Sequence, residues 1–122
     1  MKILITEDDS DVMEYISQIL KDDGHEVISS PDGFTGFTAY LKNENNKPDL
    51  IITDLRMPKK DGVDMIISIR KVEYNEPTPI LVISGAITDS DLRRLSEIKS
   101  VTVLEKPLNT SQLSSYLTKL AA

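Results

Sequence analysis

Glu7-Asp8, Asp54, Ser84 and Lys106 each stand directly after a short apolar run. Three carboxylates, a hydroxyl and an ammonium are the donor set that an oxygen-binding cation and a phosphoryl group would require. Clustered carboxylates repel one another, and one takes up a proton unless a cation joins them. With no His or Cys at these positions the ligands are all oxygen, which favours Mg2+ or Mn2+ over Zn2+. A carboxylate beside such an ion can attack phosphorus and give an aspartyl phosphate, with Asp54 the candidate nucleophile. The metal and Lys106 would neutralise the transferring group, and Ser84 would hydrogen-bond one of its oxygens. Each residue alone has a plainer reading. A Glu-Asp pair after a strand commonly marks a helix N-terminus, a Ser there is a cap, and a lone Lys is a solvated group. The argument rests on their convergence, and so on the elements that hold them.

Leu50-Ile51-Ile52 and Ile80-Leu81-Val82-Ile83 are continuous apolar runs without a helical stripe, as expected of strands buried on both faces. Met57-Pro58 stops the first, and Lys59-Lys60-Asp61-Gly62 reads as a turn. Lys2–Thr6 and Val101–Leu104 are further strands. Glu26–Ser29 is a less apolar one, expected nearer an edge. Between them, Val12, Ile16, Ile19 and Leu20 mark a helix with Ser10 as its expected N-cap and Gly24 at its end. Phe34, Phe37 and Leu41 mark a second, weaker helix after the turn Pro31-Asp32-Gly33. Asn43–Pro48 is a polar loop. Val63, Ile66, Ile67, Ile69 and Val72 mark a third helix, and Glu76-Pro77-Thr78-Pro79 cannot continue it. Leu92, Leu95 and Ile98 form a thin stripe on a charged fourth helix over 89–98. Leu113, Tyr116, Leu117 and Leu120 face a fifth, capped by Asn109 or Thr110. Strand and helix alternate about five times, the pattern of a doubly wound parallel α/β sheet, and a single domain is expected over 1–122. In such a sheet the carboxyl ends of the strands share one edge, where ligands bind.

The 122 residues suffice for one core. There is no Cys, hence no disulfide or thiol chemistry. No apolar run approaches the roughly 20 residues of a membrane span, and the N-terminus turns acidic too soon for a signal peptide, so a cytoplasmic protein is expected. The net charge of -6, from 20 acidic and 14 basic residues, argues against direct nucleic-acid binding through a broad basic face.

Glu7-Asp8, the string Asp54-Leu55-Arg56-Met57-Pro58-Lys59-Lys60-Asp61-Gly62, Ser84-Gly85-Ala86 and Lys106-Pro107 resemble the receiver domain of two-component response regulators, over essentially the whole chain. The resemblance implies a flavodoxin-like (βα)5 fold with strand order 2-1-3-4-5. It implies Asp54 as phosphoacceptor and Glu7 and Asp8 as the acidic pair for Mg2+, with Asp8 the more direct ligand. Asp54 and the backbone carbonyl of Arg56 would complete the metal's protein ligands. Ser84 would be the switch hydroxyl and Lys106 the phosphate-binding cation. The Lys106-Pro107 bond would be cis. Partners would be a histidine kinase or phosphotransfer protein and a downstream protein target, reached through the face of the fourth helix, last strand and last helix. The protein would be a monomer or a phosphorylation-dependent dimer. It would not be an enzyme on a separate substrate, although it would catalyse its own phosphorylation and dephosphorylation. The chain stops after the fifth helix, so a stand-alone receiver or a fragment of a longer regulator is expected.

Two positions depart from the family pattern. Many members carry Tyr or Phe where this chain has Val103, and Val cannot swing a ring between buried and exposed states. Coupling outward from Ser84 is then expected to be smaller, or to use the fourth helix and the loop before it. The acidic pair opens with Glu7 rather than Asp, which leaves Asp9 as a helix N-terminal charge. A receiver-like interaction module that ignores phosphate is the alternative reading, although such modules usually lose an acidic or Lys position. A Mg2+-dependent phosphatase would need a second acid where Arg56 stands. A flavin protein would need a Gly-, Ser- or Thr-rich loop where this one is acidic. His25 is expected to be exposed, Arg93-Arg94 to lie on a solvated face, and Lys59-Lys60 to soften the field of the acidic pocket. Arg56 and Ala86 would border the phosphate and tune the hydrolysis of the acyl phosphate.

Overall fold

The computed structural model describes residues 1–42, 46–57, 59–73 and 76–122. Pro58 and the Asn43–Asn45 part of the polar loop, both read from sequence above, lie outside the described residues. Five strands alternate with five helices: β1 Lys2–Thr6, α1 Ser10–Asp22, β2 Glu26–Ser30, α2 Gly33–Lys42, β3 Leu50–Thr53, α3 Gly62–Val72, β4 Ile80–Ser84, α4 Asp89–Ser96, β5 Val101–Glu105 and α5 Thr110–Ala121. All strand pairings are parallel and the order is β2-β1-β3-β4-β5, the flavodoxin-like order expected.

The burial of each strand follows its composition. Every residue of β3 and β4 is buried, whereas β2 and β5, at the two edges, are partly exposed. Alternate side chains serve opposite layers. Ile3, Ile5, Leu50, Ile52, Leu81 and Ile83 pack with Ile16 and Leu20 of α1 and with Leu113 and Leu117 of α5. Leu4, Ile51, Ile80 and Val82 pack with Tyr40 of α2, with Val63, Met65, Ile66 and Ile69 of α3, and with Leu95 of α4. Each fully buried aliphatic side chain contributes about 1.5–3 kcal/mol against leaving it in water.

Several local readings are corrected. Asp9, not Ser10, caps α1: its side chain accepts from the Asp11 and Val12 amides, and Ser10 is the first helical residue. In α2 the expected Phe34 and Leu41 are 59% and 46% exposed, while Gly33, Gly36 and Tyr40 are buried. The packing residue is Gly36. A Cβ there would lie 2.7 Å from Thr6 Oγ1 and 2.9 Å from Met65 Sδ, so the absent side chain lets α2 settle against β1 and α3. In α4, Leu92 is 47% exposed and the buried positions are Asp91 and Leu95. The helix ends at Ser96, short of the expected residue 98. Asn109, rather than Thr110, caps α5, in a reciprocal box with Gln112. His25 is half-buried, and its Nδ1 lies 2.8 Å from the N-terminal ammonium.

Candidate functional site

The parallel sheet delivers the predicted residues to its carboxyl edge, and backbone hydrogen bonds extend the strand pairing one residue beyond each strand. The Glu7 N–H donates to the Ser30 carbonyl at 3.0 Å, that of Asp54 to Thr6 at 3.0 Å, and that of Lys106 to Ser84 at 3.0 Å. Among the described residues, Glu7, Asp8 and Asp54 each offer a carboxylate oxygen, all within 4.8 Å of one another. Glu7 and Asp54 are buried and Asp8 is exposed.

Lys106 bridges the two buried acids. Its Nζ lies 2.9 Å from Asp54 Oδ2 and 3.1 Å from Glu7 Oε2. The other oxygen of Asp54 accepts from the Leu55 N–H at 2.7 Å, and Glu7 Oε1 accepts from the Asp9 N–H at 3.1 Å. Burial pushes the Glu7 carboxyl above its ordinary value, aided by the charge on Asp54 and opposed by the Asp9 amide and Lys106. Burial also works against the Lys106 ammonium, but bonds to Asp54 and Glu7 outweigh it and the net shift is upward. Three carboxylates against one ammonium leave the pocket negative, and a divalent cation would relieve that charge. The donor set fits: one or two carboxylates, with an exposed side open to water, is the usual protein share of a Mg2+ site.

Ser84 is buried at the end of β4, where its Oγ accepts from the Ala86 N–H at 3.5 Å, and Ala86 itself is exposed. The Lys106-Pro107 bond is cis. Arg56 lies in the β3–α3 loop, and its side chain pairs with Asp91 rather than with the acidic cluster. The expected pair Lys59-Lys60 separates. Lys59 reaches Asp32 at 3.7 Å, and Lys60 lies over the Phe37 ring. Arg94 pairs with Asp64 at 2.9 Å on the surface. Asp9 caps α1, as its reading as a helix-terminal charge requires.

A sequence profile of the response regulator receiver domain matches residues 3–118. The chain belongs to this family. Among similar proteins, the receiver is 31% identical over 114 residues to the transcriptional regulatory protein RprY of Bacteroides fragilis, covering 93% of this chain and 46% of that one. It spans about half the length of the curated relatives it matches first. Among solved structures, the N-terminal domain of an uncharacterized protein from Wolinella succinogenes superposes with a TM-score of 0.89 at 32% identity, covering 99% of this chain and 94% of that one. The chemotaxis protein CheY4 of Vibrio cholerae gives 0.85 at 25% identity, covering 98% and 97%. No helix among the described residues of the receiver is long and apolar enough to cross a membrane.

Two features of the receiver were not read from its sequence as site features. One is the ion pair of the half-exposed Arg56 with the buried Asp91. Thr88 and Asp91 stand at the spacing of a capping box, but nothing in the local sequence marks Asp91 as buried. The other is Asp32, 3% exposed, which sits one residue before α2. Its Oδ1 accepts from the Thr35 N–H at 2.8 Å and the Thr35 hydroxyl at 3.1 Å. The Thr35 amide holds the Asp32 carboxyl below its ordinary value, more than offsetting burial. A depressed folded-state value means stability that is present above the unfolded value and is lost as pH falls through the folded one. Asp32→Asn keeps the cap but cannot titrate. Urea denaturation below about pH 4 should therefore show a shallower loss of stability in this variant than in wild type. Identical slopes would mean that Asp32 titrates alike in both states.

Proposed function

We propose that the receiver takes a phosphoryl group onto Asp54 from the phosphohistidine of a histidine kinase or phosphotransfer protein, and thereby changes which downstream protein it binds. The observation that carries this reading is the setting of Asp54. The carboxylate is 7% exposed, with one oxygen fixed by the Leu55 amide and the other by Lys106. An Asp54 oxygen forms a bond to phosphorus, the phosphorus–nitrogen bond breaks, and the imidazole leaves with its electron pair. Lys106 is placed to pass from the carboxylate to a phosphoryl oxygen as charge moves outward. Ser84 Oγ, which accepts a long bond from the Ala86 amide, is available to donate to another. Glu7, Asp8, Asp54 and the Arg56 carbonyl would hold Mg2+ or Mn2+, and the ion, when bound, neutralises phosphoryl charge.

The output face in this reading is that of α4, β5 and α5. An open groove of about 830 Å³ against β5 and α5, lined in part by Ile98, Val101, Leu104, Tyr116 and Leu120, offers apolar surface to a protein partner on one side of this face. Moving a two-state equilibrium from mostly inactive to mostly active needs about 5.5 kcal/mol of differential stabilisation. The protein's catalysis is confined to its own acyl phosphate, and we place it in the cytoplasm. Titration of Mg2+ and then beryllofluoride, followed by amide NMR, tests the proposal. Shifts should begin at Glu7, Asp8 and Asp54, require the metal, and spread to Ser84 and β5. No response in wild type would leave a receiver that works without phosphate.

A further inference from the structure

Arg56 and Asp91 make a contact that neither the sheet nor the phosphoryl chemistry above requires. The guanidinium of Arg56, in the β3–α3 loop, donates Nη1 to Asp91 Oδ1 at 3.3 Å and Nη2 to Oδ2 at 2.5 Å. The same Asp91 Oδ2 accepts the Thr88 N–H at 3.0 Å, closing the capping box that starts α4. The two partners differ in exposure, 49% for the Arg56 side chain and 7% for that of Asp91. Arg56 is thus half in water and has room to swing. Asp91 is buried and would be left as an uncompensated charge without it, a costly state. The helix it begins is held thinly, with Leu95 its one buried apolar side chain. Arg56 also lies within electrostatic reach of the phosphoacceptor: after Asp91, the charges of Asp61 and Asp54 add to the upward shift of its guanidinium.

Resting on the phosphorylation proposed above, we infer that the Arg56–Asp91 pair is a latch: an acyl phosphate on Asp54 draws the Arg56 guanidinium from Asp91 onto the phosphoryl oxygens and releases the first turn of α4. Phosphorylation replaces one carboxylate charge by about −1.5 to −2 and adds acceptor oxygens projecting outward. The planar fork of Arg matches phosphate as well as it matches carboxylate, so the exchange keeps its hydrogen bonds satisfied. Asp91, left without its cation, regains water only if the start of α4 moves outward. The route leads from the pocket to α4 through a charge exchange and requires no aromatic ring at position 103.

The test uses the whole chain with Mg2+ and beryllofluoride, read by amide and arginine Nε–H NMR. In wild type, the Arg56 Nε–H signal and the Thr88–Leu92 amides should move with the same midpoint as those of Glu7 and Asp54. In Asp91→Asn, which keeps an acceptor for the Thr88 amide but has no charge to leave unpaired, the ligand-induced movement of Thr88–Leu92 should be largely lost. Beryllofluoride should bind this variant about fivefold more tightly, because no latch must open. Arg56→Lys keeps the charge but not the fork. It should show Thr88–Leu92 displaced without ligand toward their wild-type bound positions, which keeps the latch testable if Asp91→Asn fails to fold. Movement at Glu7 and Asp54 with Arg56 Nε–H and Thr88–Leu92 unmoved, and wild-type affinity in Asp91→Asn, would overturn the latch and leave the phosphoacceptor reading standing. No movement at Glu7 and Asp54 in wild type would remove both.

Discussion

Asp54→Asn protein incubated with acetyl phosphate and Mg2+ will gain no phosphoryl group, where wild type will gain one, as read by intact-mass spectrometry. An amide oxygen is a poor nucleophile, and the substitution also removes one of the charges that would hold the metal. The variant should nevertheless fold. Asn is nearly the same size, its oxygen can still accept from the Leu55 amide, and Lys106 retains Glu7 at 3.1 Å. Removing one of three carboxylates also takes away the charge that adds to burial in raising Glu7. Its unfolding free energy should therefore lie within about 1 kcal/mol of wild type. Loss of phosphorylation with an intact fold identifies the acceptor. An Asp54→Asn protein that still gains the group would place the acceptor elsewhere and sink the assignment.

Gly62→Ala should cost about 3 kcal/mol or more of stability by urea denaturation, among the largest effects of any single methyl group in this chain. A Cβ at Gly62 would collide with the backbone carbonyl of Asp54 and crowd the Cα of Leu55. Neither neighbour can step aside as a flexible side chain would. The Gly62 N–H also donates to the Leu55 carbonyl at 2.9 Å, which ties the start of α3 to the loop that follows Asp54. The remaining folded molecules should bind beryllofluoride more weakly, because the displaced backbone is that of Asp54 itself. A change below about 0.5 kcal/mol would show that this loop yields more easily than its contacts imply.

The central strands were legible because burial on both faces leaves an unbroken apolar run, as in Leu50–Ile52 and Ile80–Ile83 and, more briefly, Ile3–Ile5. The edge position of β2 followed from its mixed composition. The reactive edge was legible for a topological reason: parallel strands deliver whatever follows them to one side, so local pattern alone placed Glu7, Asp54, Ser84 and Lys106 together. The misreadings have physical causes as well. Gly36 looks like a helix weakener in sequence, yet its missing side chain is what α2 packs with, and the conspicuous Phe34 is left in solvent. Asp9 and Ser10 are both good caps, and only backbone geometry decides between them. Asp91 looks like a solvated charge on a charged helix. Its burial depends on an arginine 35 residues away, a pairing that local spacing does not encode.

The backbone bonds that carry the sheet past Thr6, Thr53 and Glu105 have a consequence for how this molecule divides its motions. Glu7, Asp54 and Lys106 hang on amides that belong to the same cooperative unit as the central strands. Exposing those amides to solvent means breaking strand pairing, so Asp54 should keep its geometry through most local openings. Asp91 and the first turn of α4 rest on one ion pair, one cap and one buried leucine. They should therefore form a weaker unit, whose amides exchange well before those of the sheet. If Asp54 carries a phosphoryl group as proposed, the timer and its alarm are housed in parts of different stiffness, and a chemical mark can be held steadily while the surface that announces it stays free to move.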